Sequence, residues 1–453
     1  MILPSGQGSI VDVSSFASRA AGRPALPGAL PRPRRRVVPG PQSLTCVVFL
    51  SVFLVPCGFA APEGELPADP SRIERLTPEQ AAVLVKKPGL DVLPLTRLAT
   101  LDADTARWLA RFKGRGVWLT RLTAIDAATA KDLADFKGTV LDLGGLSTID
   151  AAVAEPLATC NCQHLYLDGL TAVTADTART LASFQGAQLA FNGLQRIDAP
   201  TAKAVATFRG RTLWLNGLTA VDAETAGAIA ASSCDSLMLS GLRTLDAAAA
   251  RSLGRFGGNG LALAGLTRLD AETAAALGVF AGQRLDLSGV TAIDAAAALE
   301  LARFKGQQLD LSGLTALDAA TAAAVAQIKA AGLDLNGLTA LDADTATALG
   351  GYKGFWLRLR GLAALDPAVA RRLVHYKGDA LDLSGLPLLD VATAKVLAEY
   401  PGKMLALEGL VQIDAATVNA LGAFSGQMVT LGWMSKLDAE TEKALAVHGK
   451  IRR

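Results

Sequence analysis

From Leu93 onward, apolar and polar positions follow two periods in turn. A Leu-x-Leu alternation, as in Leu309-Asp310-Leu311, reads as a short strand with one face buried. After a turn at Gly313-Leu314-Thr315 the period lengthens, and Ala319, Ala322, Val325, Ala326 and Ile328 fall on one stripe of a helix. The pattern predicts a strand, a glycine turn and a short helix ended by glycine in the manner of a C-cap, as at Phe304-Lys305-Gly306.

The unit recurs every 24 residues without a shift of frame, marked by an acid directly before each helical run. The acid is Asp102, Asp126, Asp150, Asp198, Asp222, Asp246, Asp270, Asp294, Asp318, Asp342, Asp366, Asp390, Asp414 and Asp438, with Thr174 in the remaining place, so fifteen units follow one another. Seven residues before it stands Leu, except at Phe191, and twelve consecutive units from Gly145 to Gly409 carry Gly five residues before it. In that position a carboxylate accepts hydrogen bonds from unpaired N–H groups and complements the helix dipole, and Thr174 is also a capping residue. A metal-binding row of acids is the alternative, but it lacks neighbouring ligands at fixed spacing.

A unit this short cannot bury both its strand and its helix, so units must stack strand on strand. The expected fold is α/β: a right-handed β/α solenoid with a parallel sheet on the concave side and short helices on the convex side. Helices need ~8–10 Å side by side and strands ~4.8 Å, which curves the array toward the sheet. Alanine four residues after the acid in thirteen units lets the helices sit close.

The unit L-x-L-x-G-L-T-x-L-D-A-x-T-A-x-x-L-A-x-F-K-G resembles the leucine-rich repeats of exported bacterial proteins, particularly tandem arrays that open with a segment like Leu76-Thr77-Pro78-Glu79-Gln80-Ala81. The resemblance covers about residues 76 to 450. It implies a binding or scaffold surface rather than a reaction. Leu replaces the Asn of L-x-L-x-x-N, so the asparagine ladder of such repeats is expected to be absent.

The front of the chain differs in kind. Residues 1 to 43 hold six arginines and one acid, Asp12, and an uncharged apolar run, LTCVVFLSVFLV, follows at 44 to 55. A run of 12 residues is too short for a membrane span of ~20 and fits a secretory signal. Small residues at Gly58 and Ala60 place the cut after Ala60. A short membrane anchor or a disordered tail is the alternative, and Val55-Pro56 argues against a lipoprotein site at Cys57. The expected organisation is a signal peptide with a long basic n-region at 1–60, a linker at 61–76, an N-terminal capping helix at 77–92, repeats over 93–436, and a C-terminal capping helix and tail at 437–453.

Removing that leader changes the charge. The whole chain has 44 basic and 42 acidic residues, and 38 against 41 remain. A slightly acidic mature chain argues against nucleic acid as a partner. Cys160, Cys162 and Cys234 survive, an odd number, at places where other units carry Phe or Gly; they are expected to be small apolar substitutes rather than metal or redox groups.

Sequence motifs for catalysis are missing. His164, His375 and His448 occupy different repeat positions, and there is no phosphate loop, nucleophile elbow or H-E-x-x-H. The Gly-rich FGGNG from Phe256 follows a helix rather than a strand and reads as a turn.

The open strand face holds the candidate ligand-binding residues Trp118, Asp142, Tyr166, Trp214, Met238, Asp286, Asp310, Asp334, Arg358 and Asp382. Aromatics two units apart lie roughly 10 Å apart, a spacing that suits a peptide or a sugar chain; solvated β-formers are the plain alternative. The acids Asp286, Asp310 and Asp334 would repel one another unless Arg358, a cation, a basic segment or solvent relieves them. The sequence thus predicts an exported, non-enzymatic scaffold for a protein or peptide ligand, with no cofactor and no membrane span after cleavage. Glycan binding and a purely structural envelope role are the alternatives.

Overall fold

In the computed structural model, which describes residues 66–434 and 437–453, the 24-residue period becomes a strand register. Leu309 pairs with Leu285 on one side and Leu333 on the other. Sixteen strands form one parallel sheet in strict chain order. Parallel strands joined through helices make this a right-handed β/α solenoid of the leucine-rich-repeat type. The expected signal sequence and its cut after Ala60 lie outside the described residues.

The alternation explains the core. The central residue of each strand points inward, and in one unit Leu309, Leu311 and Leu314 are all fully buried beside Phe304 and Val325. Each buried leucine contributes ~1.5–3 kcal/mol, offsetting the ordering of helices that are only seven to nine residues long.

Each acid caps its helix. Asp318 has extended backbone and its Oδ1 accepts from the Thr321 N–H at 2.7 Å; Thr174 accepts from the Thr177 N–H at 3.2 Å. The threonine three residues after the capping acid ties units together. Thr345 donates its hydroxyl to the Leu317 carbonyl of the preceding unit at 3.3 Å, as Thr273 does to Leu245 at 3.4 Å. One position on, Ala322, Ala346 and Ala370 are fully buried between helices.

A ring layer runs behind the helices' ends. Phe280 and Phe304 stack with centroids 6.2 Å apart, and Tyr376 and Tyr400 with centroids 5.9 Å apart. These steps exceed the ~4.8 Å between strands, which puts the sheet on the concave side. The tyrosines donate to carbonyls of the preceding unit, Tyr352 to Ala330 at 2.8 Å and Tyr400 to Gly378 at 2.6 Å.

Three expectations change. Glycines such as Gly306 do not cap the helices through a left-handed conformation, because among the described glycines only Gly89 has positive φ; the Phe304 ring fills the space a Cβ on Gly306 would need. Second, a polar ladder is present, displaced to the second position after the strand: the Asn192 side chain accepts from the Asn216 N–H at 3.0 Å, and Asn216 from the Ser240 N–H at 2.9 Å. Third, the C-terminal tail forms a strand, Ile451–Arg452, beside Val429 and Thr430. At the other end, Thr77 and Gln80 form a capping box on the helix Pro78–Leu84.

Candidate functional site

The first and third residues of each strand point away from the core, so two rows of side chains cover the sheet face. The candidate residues form the row of third residues. Trp118, Asp142 and Tyr166 are successive register partners, as are Asp286, Asp310, Asp334, Arg358 and Asp382. Ala190 separates Tyr166 from Trp214, which adjoins Met238. The other row holds His164, Gln188, Arg284, Gln308 and Trp356. That row carries as much chemistry, and the alternation that exposes one row exposes the other.

The two ends of the face differ. Toward the N-terminus the aromatics have few structural duties. Trp118 is 40% exposed. Tyr166 stacks on His164 with centroids 6.1 Å apart and donates its hydroxyl to Gln188 Oε1 at 3.1 Å. The Trp214 Nε1 is buried without a hydrogen-bond partner among the described residues, as is the Trp356 Nε1 at the other end of the face. Burial, with Asp168 and Asp142 adding, raises the Tyr166 hydroxyl, and burial lowers His164, favouring the neutral ring. Asp142 is raised by burial against the hydrogen bond from Gly144 N–H at 2.8 Å.

Toward the C-terminus the charged residues bind one another. Asp334 is 3% exposed, and Arg358 Nη1 reaches its Oδ1 at 2.9 Å while Gln308 Nε2 donates to its Oδ2. Asp382 is buried against Arg360 Nε at 2.6 Å. Beneath Arg358, at 5.6 Å, lies the Trp356 indole, seated where Gly332 has no Cβ. Asp310 lies between Asp286 and Asp334 and is pushed up to about 6, chiefly by burial, against the hydrogen bond that Ser312 N–H donates at 2.8 Å. Arg358 thus relieves the acidic row through Asp334, and Asp286 and Asp310 spend one oxygen each on the turn that follows.

Among the described residues no group of three His, Cys, Asp or Glu is placed to hold a metal. His375 lies against the Arg372 carbonyl and His448 against Asn419, far from His164 along the stack. In FGGNG, the Asn259 N–H donates to the Asp235 carbonyl in the loop before a strand, as its counterparts do in other units. Two shallow depressions lie on the helix side, one lined by Val391, Lys395 and Asn419 and one by Val83 and Lys87.

Fold and face together define a solenoid of the leucine-rich-repeat type with an open, mixed aromatic and acidic sheet surface. No family model matches this chain. No curated protein is found similar to it. Among solved structures it is similar to an internalin of Listeria monocytogenes at 14% identity and TM-score 0.37, over 85% of this chain and 97% of that one. It is also similar to the TLR13–ssRNA13 complex at 14% identity and TM-score 0.43, over 78% and 59% of the two chains, and to the Toll–Spatzle complex of Drosophila at 15% and 0.41, over 75% and 53%. At these values the likenesses bear on no ligand.

Proposed function

We propose that the chain is an exported, non-enzymatic scaffold that binds a protein or peptide on its concave face, with contact centred on Trp118, Tyr166 and Trp214. The observation that supports this reading is the contrast across the face. Arg358 pairs with Asp334 and Arg360 with Asp382, whereas Trp118 is exposed. Large aromatics with an apolar body and a polar tip are the side chains that dominate protein interfaces. The flanking Asp142 and Asp286 add negative charge, which selects against acidic partners and favours a basic segment. Export rests on the leader in the sequence, and no described helix is long and apolar enough to cross a membrane.

Affinity capture with the full chain from extracts of its own cell envelope tests the reading. A protein retained by the native chain and lost from a variant carrying Trp118→Ala, Tyr166→Ala and Trp214→Ala supports it. Equal retention by both removes the aromatics from the interface. A polysaccharide retained in place of a protein, and lost with the same substitutions, transfers the site to glycan binding. Concave substitutions that change nothing, with helix-side substitutions that disrupt envelope assembly, point to the structural role.

A further inference from the structure

The ring layer obeys a pairing rule along the whole stack. Wherever the tenth residue after the capping position is Phe or Tyr, the residue two further on is Gly, and the ring occupies the space of the missing Cβ, as for Phe136 and Gly138 or Phe184 and Gly186. In three units before the last the Phe or Tyr is lost, and each of these has a Cβ at the second place: Cys160 with Cys162, Ser232 with Cys234, and Ile328 with Ala330. The second side chain therefore turns into the vacated ring space. In the first of these units the two side chains that meet there are both thiols.

Their Sγ atoms lie 2.6 Å apart, and the surrounding backbone holds them in that relation. Cys160 N–H donates to Leu157 at 3.1 Å, Asn161 N–H to the Ala134 carbonyl at 3.2 Å and Gln163 N–H to Thr139 at 3.0 Å, so every residue around the pair is anchored. Cys160 is 6% exposed and Cys162 2%. The Ser232–Cys234 couple has the same placement, with Oγ and Sγ 3.2 Å apart, but a hydroxyl cannot close a bond to sulfur under oxidation. Cys234 lies three strands from Cys162, ~14 Å at ~4.8 Å per strand, beyond the reach of a disulfide. One pair in the stack is thus built for covalent closure, and the third cysteine is left as a thiol.

We infer that Cys160 and Cys162 are a redox-modification site that closes to an intra-unit disulfide in the exported chain, stapling the ring layer where the stack between Phe136 and Phe184 is interrupted. The inference rests on the exported reading for its oxidising surroundings. The co-reactant is a protein disulfide of the thiol-oxidase class. The Cys160 thiolate attacks one acceptor sulfur and releases the other as a thiolate, and the Cys162 thiolate then displaces the mixed disulfide. Two thiols lose two protons and two electrons, one S–S bond forms, and the acceptor disulfide becomes two thiols. Because both sulfurs are buried in the finished fold, closure occurs as the chain folds, and the bond is afterwards shielded from soluble thiols.

Peptide mapping of the full chain decides this. The protein is refolded from denaturant with glutathione disulfide, unfolded again with iodoacetamide, and digested with trypsin, which leaves both cysteines in the single peptide from Gly138 to Arg179. The expected result is a peptide lighter by two hydrogens and free of label, with Cys234 alkylated. Two labels on that peptide, or glutathione attached to either sulfur, overturns the inference. A variant with Cys160→Phe and Cys162→Gly, which restores the ring and glycine of the other units, provides a folded control. Envelopes lysed directly into denaturant with iodoacetamide separate the two claims: free thiols there, with closure by glutathione disulfide in the tube, overturn the exported reading and leave the pair standing.

Discussion

The ring edge of Phe136 fills the volume that a Cβ on Gly138 would need, and the carbonyl of Gly114 closes the same space from the preceding unit. Gly138→Ala therefore forces the ring to move and costs ~1–3 kcal/mol of stability, as overpacking does. Adding Phe136→Ile recreates the couple found at Ile328 and Ala330 and recovers part of the loss. Urea unfolding of both single variants and the double variant measures the coupling, expected at ~0.5–3 kcal/mol in the compensating direction. Simple addition of the two losses would show that ring and glycine are independent.

Asp390 accepts from the Thr393 N–H at 2.8 Å and from the Thr393 hydroxyl at 2.7 Å. Replacing it with Ala removes the cap and costs ~1 kcal/mol. Asp390→Thr, the substitution the chain itself makes at position 174, retains an acceptor and costs less. Thermal unfolding of the two variants ranks them, and equal losses would mean that the carboxylate acts only through charge.

The period, the caps and the parallel stack were legible because each leaves a mark at a fixed distance. Asp318 must precede Ala319, and Leu309 must alternate with Leu311, whatever lies around them. The ring and glycine couple was also written in the chain, at Phe304 and Gly306, but a glycine after a helix has two physical explanations, and only the absence of positive φ separates them. The state of the face was less legible. Asp334 and Asp310 occupy the same place in successive units, yet one is buried by Arg358 and Gln308 and the other is not. Such pairings depend on how long side chains lie across neighbouring strands, and strand spacing does not encode that.

The displaced ladder gives a sharper test of the turn. Asn216 receives the Ser240 N–H at 2.9 Å and donates its own N–H to Asn192 at 3.0 Å. Asn216→Ala orphans the Ser240 N–H and costs ~1 kcal/mol, whereas Asn216→Asp keeps the acceptor and much of the stability. Hydrogen exchange at Ser240 reads the same bond directly. Unchanged protection there in the alanine variant would show that the ladder is dispensable.

Asp310 predicts an unusual pH profile. Its folded value, about 6, lies above its ordinary value of 3.8, so the folded state holds the proton longer than the unfolded state. Its contribution is fully present below the ordinary value and is lost as pH rises through the folded one. The capping aspartates behave oppositely. Asp390 and Asp414 are lowered by hydrogen bonds from Thr393 and Thr417, and their contribution is lost only as pH falls through those lowered values. Asp310→Asn keeps the oxygen that Ser312 N–H reaches and removes the charge. It should raise stability at pH 7.5 by on the order of 1 kcal/mol and change little at pH ~3, below the ordinary value. A gain of equal size at both values would show that the proton on Asp310 is not the cause.

The unequal ends of the face predict a separation between stability and binding. Arg358→Met leaves the Asp334 carboxylate, buried with only Gln308 to hold it, and costs roughly 1–3 kcal/mol. Trp118→Ala removes a side chain that is 40% exposed and rests across Gly116, so its cost to folding is under ~1 kcal/mol. Ligand capture should show the reverse order, with Trp118→Ala reducing retention while Arg358→Met, assayed below its unfolding midpoint, retains it. If Arg358→Met abolished capture while the fold remained intact and Trp118→Ala did not, the contact surface would lie at the acidic end, and the ion pair would be an element of recognition rather than of the sheet.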